Sequence, residues 1–276
     1  MLFVTIYNSL PRQIHQLIFA ATAWLLIMAI STLPGHAQSS DSTIPPQQLY
    51  LPLMAGGEAD QHVYDSIAVQ GPPIDRPPAV NGDINLSLRG FIDTDSYLGL
   101  IDIEGATDVN APQLAAIYQP DRLPTIVANH QVYNWDWECG DIGCPADPIS
   151  DPEVTLISMA TTPGEELSIP RRAPDIYQGI YRALVLYATS TQLTLVYTRE
   201  DTPARGYVVH MQDLAVAPAL LALYQELDQA GRGRLPALRN DEPVGFAAGS
   251  SIKIAIRDTG RFMDPRSRKD WWVDYQ

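Results

Sequence analysis

From Val154 onward the chain is a succession of short apolar runs, too closely spaced and too rich in β-branched residues to be helices. "VTLISMA", "ELSIP", "YRALVLYA", "QLTLVYT" and "GYVVHMQ" follow one another, separated by turn-forming residues. Val, Ile, Thr and Tyr suit a pleated, half-buried surface, so the pattern predicts an antiparallel sheet built from consecutive strands. The last run, "SSIKIAIRD", alternates. Ile252, Ile254 and Ile256 fall on one face of a strand, and Ser251, Lys253, Ala255 and Arg257 on the other. One segment breaks the series. "APALLALYQELDQAGRG" has Pro218 at its start and Gly231 just past its end, with Leu220, Leu223, Tyr224 and Leu227 on one helical face. The expected fold is therefore mostly β: an antiparallel β-sandwich or β-roll with one inserted helix.

Upstream the strand signals are weaker. "INLSLRGFI", "SYLGLIDIEG" and "TIVANHQVYNWDW" read as strands, and "APQLAAIYQ" as a short helix with Pro112 in its first turn. Residues 38–82 contain "SSDSTIPPQQ" and "GPPIDRPPAVNG", composition that favours extended, solvated chain, and are assigned to a flexible linker around the apolar island "LYLPLMAGG". The domain is expected over 83–272, with 273–276 as a tail. The first 37 residues combine Arg12, the uncharged run "LIFAATAWLLIMAI" and a small-residue "GHA" step, which predicts a secretory signal peptide. The run is short for a bilayer span, so the mature chain is expected to carry no transmembrane domain and to be secreted or held at the cell envelope.

The formal net charge of −14 argues against a nucleic-acid partner, because like charge repels phosphate. Basic residues gather instead in Gly231 to Gln276. The two cysteines, Cys139 and Cys144 in "CGDIGC", predict a disulfide closing a small loop in an exported chain. Nothing in the sequence calls for a cofactor.

"GSSIKIAIRDTGRFMDP" carries a second message. It resembles the last core strand of the lysostaphin-type zinc metallopeptidases, where G-x-H-x-H-F-E-x-R runs into x-x-G-x-x-x-D-P. Gly249, Arg257, Gly260, Asp264 and Pro265 keep that frame, but Ser251 and Lys253 stand at the two histidine positions. Val244 and Gly245 resemble the turn before that strand, and Gly164, Leu167 and Pro170 resemble the family's small-residue turn. By the same alignment the first histidine ligand falls near Val154, the aspartate ligand near Ser158, and the Y-x-H histidine at Arg199, with Tyr197 kept. The resemblance covers roughly residues 154–265 and implies the scaffold of a cell-wall peptidase. The whole chain also resembles exported surface proteins of filamentous bacteria, a likeness that brings no activity with it.

The substitutions at those positions exclude the family's chemistry. A catalytic zinc needs three ligands from His, Asp, Glu or Cys and an open water position. Valine cannot ligate, serine is a poor ligand at neutral pH, and a lysine ammonium repels the ion. No metal is expected. Ser158, Arg199, Ser251 and Lys253, with His210 nearby in sequence order, are the candidate ligand-binding groove of a non-catalytic surface protein. Its expected partner is a cell-wall polymer, glycan or peptide, or another surface protein. Tyr133, Trp135 and Trp137, at alternate positions, are an aromatic row that would either stack on sugar rings or build core. An alternative is a hydrolase with a displaced site, using His210, His130 or acid pairs such as Asp136 and Glu138. Ser251, His210 and Asp213 can be written as a triad, but no placing motif supports it. A third alternative is a purely structural module of the envelope.

Overall fold

The computed structural model describes residues 62–275. The leader assigned to residues 1–37 lies outside the described residues, as does the part of the linker before His62. Fourteen strands run in chain order: β1 (Asp65–Ala68), β2 (Phe91–Thr94), β3 (Ile126–Asp136), β4 (Cys144–Pro148), β5 (Leu156–Ala160), β6 (Glu166–Ser168), β7 (Ala183–Ala188), β8 (Gln192–Val196), β9 (Tyr207–Gln212), β10 (Leu214–Val216), β11 (Arg234–Leu238), β12 (Pro243–Ala247), β13 (Ser251–Asp258) and β14 (Arg261–Met263). Helix α1 (Pro218–Gln229) interrupts them, and a single turn, α2 (Arg268–Trp271), follows. The domain is mostly antiparallel β, as the strand runs predict. Eleven strands form one sheet in the order β1-β11-β7-β8-β9-β13-β5-β3-β2, with β14 added to β13 and β4 to β3. A second sheet of three strands has the order β10-β12-β6.

The two faces of the large sheet differ, and β13 shows why. Ile252, Ile254 and Ile256 are fully buried in the main core, against Ile157 and Met159 of β5 and Val209 and Met211 of β9. Each such side chain contributes about 1.5–3 kcal/mol by leaving water. The small sheet joins the same core through Leu167, Leu214, Val216 and Val244. Helix α1 packs on β7 and β11, burying Leu220 and Tyr224 from its apolar stripe. The opposite face holds a much smaller apolar cluster of Leu86, Val132, Leu156, Ala255 and Phe262. Polar side chains occupy the rest of it.

The ordered region begins earlier than Asp83. β1 lies inside the stretch assigned to the linker, pairs with β11, and buries Tyr64 and Ile67. The backbone N–H of Ile74 donates to Asp201. The prolines dominate the local composition, yet Tyr64 and Ile67 suffice to anchor an edge strand. Two other expected strands are absent. In "INLSLRGFI" the Asn85 side chain accepts from the N–H of Ser87 and caps a 3-10 turn over Leu86–Leu88, so only Phe91 onward is extended. "SYLGLIDIEG" is irregular chain, held by a bridge from Ile101 to Ser267 and by side-chain bonds from Asn129 and Arg266. "APQLAAIYQ" forms a 3-10 turn, Leu114–Ile117.

The C-terminal tryptophans close the domain. Trp271 and Trp272 are buried and donate their indole N–H groups to the carbonyls of Asp264 and Pro265. Tyr207 meets Trp271 edge-on. The pair is part of the core. Among the described residues no helix is long and apolar enough to cross a membrane.

Candidate functional site

Antiparallel pairing places side chains of directly opposed residues on the same face. On the minor face this builds a polar row across six neighbouring strands. Asp93 on β2 opposes His130 on β3. Ser158 on β5 opposes Lys253 on β13, which opposes Gln212 on β9, which opposes Gln192 on β8. His130 and Ser158 meet on the diagonal, because a bulge between Ile126 and Ala128 shifts the β3–β5 register. At about 4.8 Å per strand, the row is roughly 24 Å long.

Asp93, His130 and Ser158 are hydrogen-bonded to one another, and the other members are held by Asp213 and Ser87 at the flanks of the row. His130 Nδ1 lies 2.7 Å from Asp93 Oδ1, and Nε2 lies 2.8 Å from Ser158 Oγ. Lys253 pairs with Asp213. Ser87 donates to Gln192 at 2.7 Å and accepts from Gln212 at 3.0 Å. Phe91, partly exposed, lies over this part of the face, 4.7 Å from the His130 ring and 5.5 Å from the Lys253 ammonium.

Asp93, His130 and Ser158 are joined in the order of a hydrolytic triad. The carboxylate only accepts, so Nδ1 donates to it; the neutral ring then offers Nε2 to the serine hydroxyl. Three features separate this arrangement from an acyl-transfer site. Ser158 and His130 are both buried, whereas the Asp93 side chain is 85% exposed, the reverse of a triad with a buried acid and an open nucleophile. Ser158 sits in the middle of β5 with ladders on both flanks, so the N–H groups around it lie in the sheet plane. None can point at an oxyanion above that plane. The nearest cation, Lys253, is already paired with Asp213. A fluorophosphonate probe is therefore expected to leave Ser158 unlabelled, with intact-mass spectrometry as the readout.

The other sequence candidates fall in different places. Ser251 lies one pleat along β13 from Lys253, on the same face, so Ser158, Ser251 and Lys253 do converge. His210 shares the face but is buried opposite Ala255. Its Nδ1 is 3.1 Å from Thr194 Oγ1, whose own proton goes to the carbonyl of Ile84. Thr194 can therefore only accept, which places the imidazole proton on Nδ1 and leaves Nε2 buried without a partner. Burial, aided by the charges of Arg257 and Arg89, holds His210 well below the usual histidine range. Asp213 pairs with Lys253 and has no bond to His210, so the Ser251–His210–Asp213 grouping does not form.

Arg199 does not join the convergence. It donates to the Ala68 carbonyl at 2.9 Å, and its guanidinium lies 4.2 Å from the Tyr177 ring, where it ties β1 to the domain. Its backbone carbonyl also accepts from the N–H of Gln70, so this part of the chain meets the segment of β1 and not the polar row. The aromatic row is also not an open platform. A bulge between Tyr133 and Trp135 breaks the alternation. Trp135 is wedged between Gly82 and Gly143; a Cβ at either would come within 2.5 Å and 2.2 Å of its ring. Trp137 is covered on one face by Arg76, 4.5 Å from its ring. Cys139 and Cys144 form the disulfide that closes the β3–β4 hairpin.

Val154 is buried and apolar, and Ser158, Ser251 and Lys253 supply no imidazole, thiolate or carboxylate, so the donor set does not fit zinc. Among the described residues no group of three or more His, Cys, Asp or Glu side chains is placed to hold a metal ion. No family model, curated relative or solved structure matches the chain.

Proposed function

We propose that this is an exported surface domain that binds an extracellular glycan or peptide chain along the minor face of its large sheet, without cleaving it. The observation that carries the reading is the polar row of Asp93, His130, Ser158, Lys253, Gln212 and Gln192. It is an ordered line of hydrogen-bonding groups long enough for several sugar or peptide units, with Phe91 beside it as an apolar contact. Polar groups fixed by one another before a ligand arrives lose little entropy on binding. Aromatic edges and faces add contact area to sugar rings. The likeness of the β13 segment to a peptidase strand supports the same face, since that is where such an enzyme holds its substrate.

The test is binding of solubilised peptidoglycan fragments by calorimetry. Lys253→Ala and Phe91→Ala should each weaken binding about tenfold, the scale of one charge-assisted hydrogen bond or one stacked ring. Equal affinity in the wild type and both variants would remove the face from recognition.

A second reading, hydrolysis of the same class of polymer, is favoured by the Ser158–His130–Asp93 order alone. Turnover of peptidoglycan that disappears in Ser158→Ala would establish it and end the non-catalytic reading.

A further inference from the structure

The minor face carries a second feature, at the other end of β13. The β13–β14 hairpin borders a cavity of about 690 Å³, within the size range of small-ligand pockets. Arg89 and Arg257, both more than nine-tenths buried, line it together with Phe262, Ile149, Ile103 and Trp135. The two guanidinium groups lie 5.3 and 4.9 Å from the Phe262 ring. They share one carboxylate oxygen, Asp83 Oδ1, at 2.5 and 2.9 Å. Arg89 otherwise donates to the carbonyls of Gly82 and Tyr133, and Arg257 to those of Gly260 and Asp83. Arg89 thus engages three of its five N–H bonds and Arg257 four.

Two buried cations against one carboxylate leave an excess positive charge. An uncompensated charge in a low-dielectric setting is costly, and each arginine loses proton affinity there. Burial, with the charge of Arg257 adding to it, brings Arg89 down to about 10, and burial likewise lowers Arg257. The remaining acids of the wall do not offset this charge. Asp264 is engaged by Arg266, Asp258 follows Arg257 in β13 and so falls on the opposite face of the strand, and Asp151 is exposed. His210, stacked on Phe262, is held neutral by the same surroundings.

We propose that this cavity binds a carboxylate carried on an apolar body, the carboxylate seated against the free N–H bonds of Arg89 and Arg257 and the apolar part against Phe262, Ile149 and Ile103. A planar guanidinium matches a carboxylate geometrically, and the ligand's charge would complete the pairing that Asp83 leaves at one to two. A peptide C-terminus and a free aromatic acid share this chemistry. The site lies about 13 Å along β13 from Lys253, so it stands apart from the polar row.

Calorimetry on the intact domain tests it, with N-acetyl-phenylalanine, its amide, 3-phenylpropionate and methyl glucuronide as probes. Arg89 and Arg257 are left in place because their backbone hydrogen bonds hold the fold. The acid N-acetyl-phenylalanine, 3-phenylpropionate, or both should bind about tenfold or more tightly than the amide. Preference for N-acetyl-phenylalanine assigns a peptide terminus, and preference for 3-phenylpropionate a free acid. Arg261→Glu, a charge reversal at an exposed position of the cavity wall, should weaken the acids several-fold and leave the amide unchanged. No binding of either acid, equal binding of acid and amide, glucuronide binding as tight as the aromatic acids, or indifference to Arg261→Glu would overturn the proposal.

Discussion

Arg232→Ala is expected to lower the unfolding free energy by about 3–5 kcal/mol. Arg232 follows the C-terminus of α1 and is buried. Its guanidinium donates to both oxygens of Asp201 at 2.8 and 2.7 Å, to Asp228 at 2.5 Å and to the Leu186 carbonyl at 2.9 Å. The Asp201 side chain is fully buried. Removing the arginine leaves that carboxylate without its counter-ion in an apolar setting, and the penalty is the stranded charge more than the lost attraction. Asp201 also accepts from Ile74, so the segment after β1 should loosen as well. Two controls separate this cause from simple loss of packing. Asp228→Asn touches the partly exposed arm of the network and should cost less than about 1 kcal/mol. The double variant Arg232→Met with Asp201→Leu removes both charges and should recover much of the loss. Urea denaturation measures all three.

Acid should destabilise the domain through His210. This imidazole is neutral and buried in the folded state, with its proton-binding affinity lowered by burial and by Arg257 and Arg89. In the unfolded chain it titrates near its ordinary value of about 6.5. Below that pH the unfolded state takes up a proton that the folded state refuses. Stability is thus full above about pH 6.5 and falls as pH drops towards the depressed folded value, with a limiting slope of about 1.4 kcal/mol per pH unit. His210→Gln keeps a donor for Thr194 and cannot titrate, so its stability should decline less steeply over the same interval. Denaturation at pH 7.5, 5.5 and 4.5 compares the slopes. Parallel slopes in the two proteins would show that His210 carries no such linkage.

The alternation of "SSIKIAIRD" was enough to separate the isoleucine face from the face of Ser251, Lys253 and Arg257, because period-2 patterning is a local property of a strand. The helix was equally legible from Pro218, its apolar stripe and Gly231. The polar row was only half legible. The β5–β13 register puts Ser158, Ser251 and Lys253 on one face, but the His130–Asp93 contact depends on β2–β3 register, and nothing in the spacing of those residues encodes it. Arg199 failed for a related reason. β8 ends at Val196, the chain turns at Tyr197 and Thr198, and β1, hidden in a proline-rich stretch, takes up its donor. Asn85 misled through its side chain, which caps a turn that the alternating leucines alone would have made a strand. The Arg89–Asp83–Arg257 cluster went unnoticed because its members come from a turn and a strand more than 150 residues apart in sequence.

Central to all of this is the claim that the polar row lacks the donor set a catalytic zinc requires. Titration of zinc into the purified, metal-stripped domain at neutral pH tests it most directly. The expected result is no site-specific binding, with any weak uptake unchanged in His130→Ala. One zinc per chain, held with sub-micromolar affinity and released by His130→Ala, would contradict it.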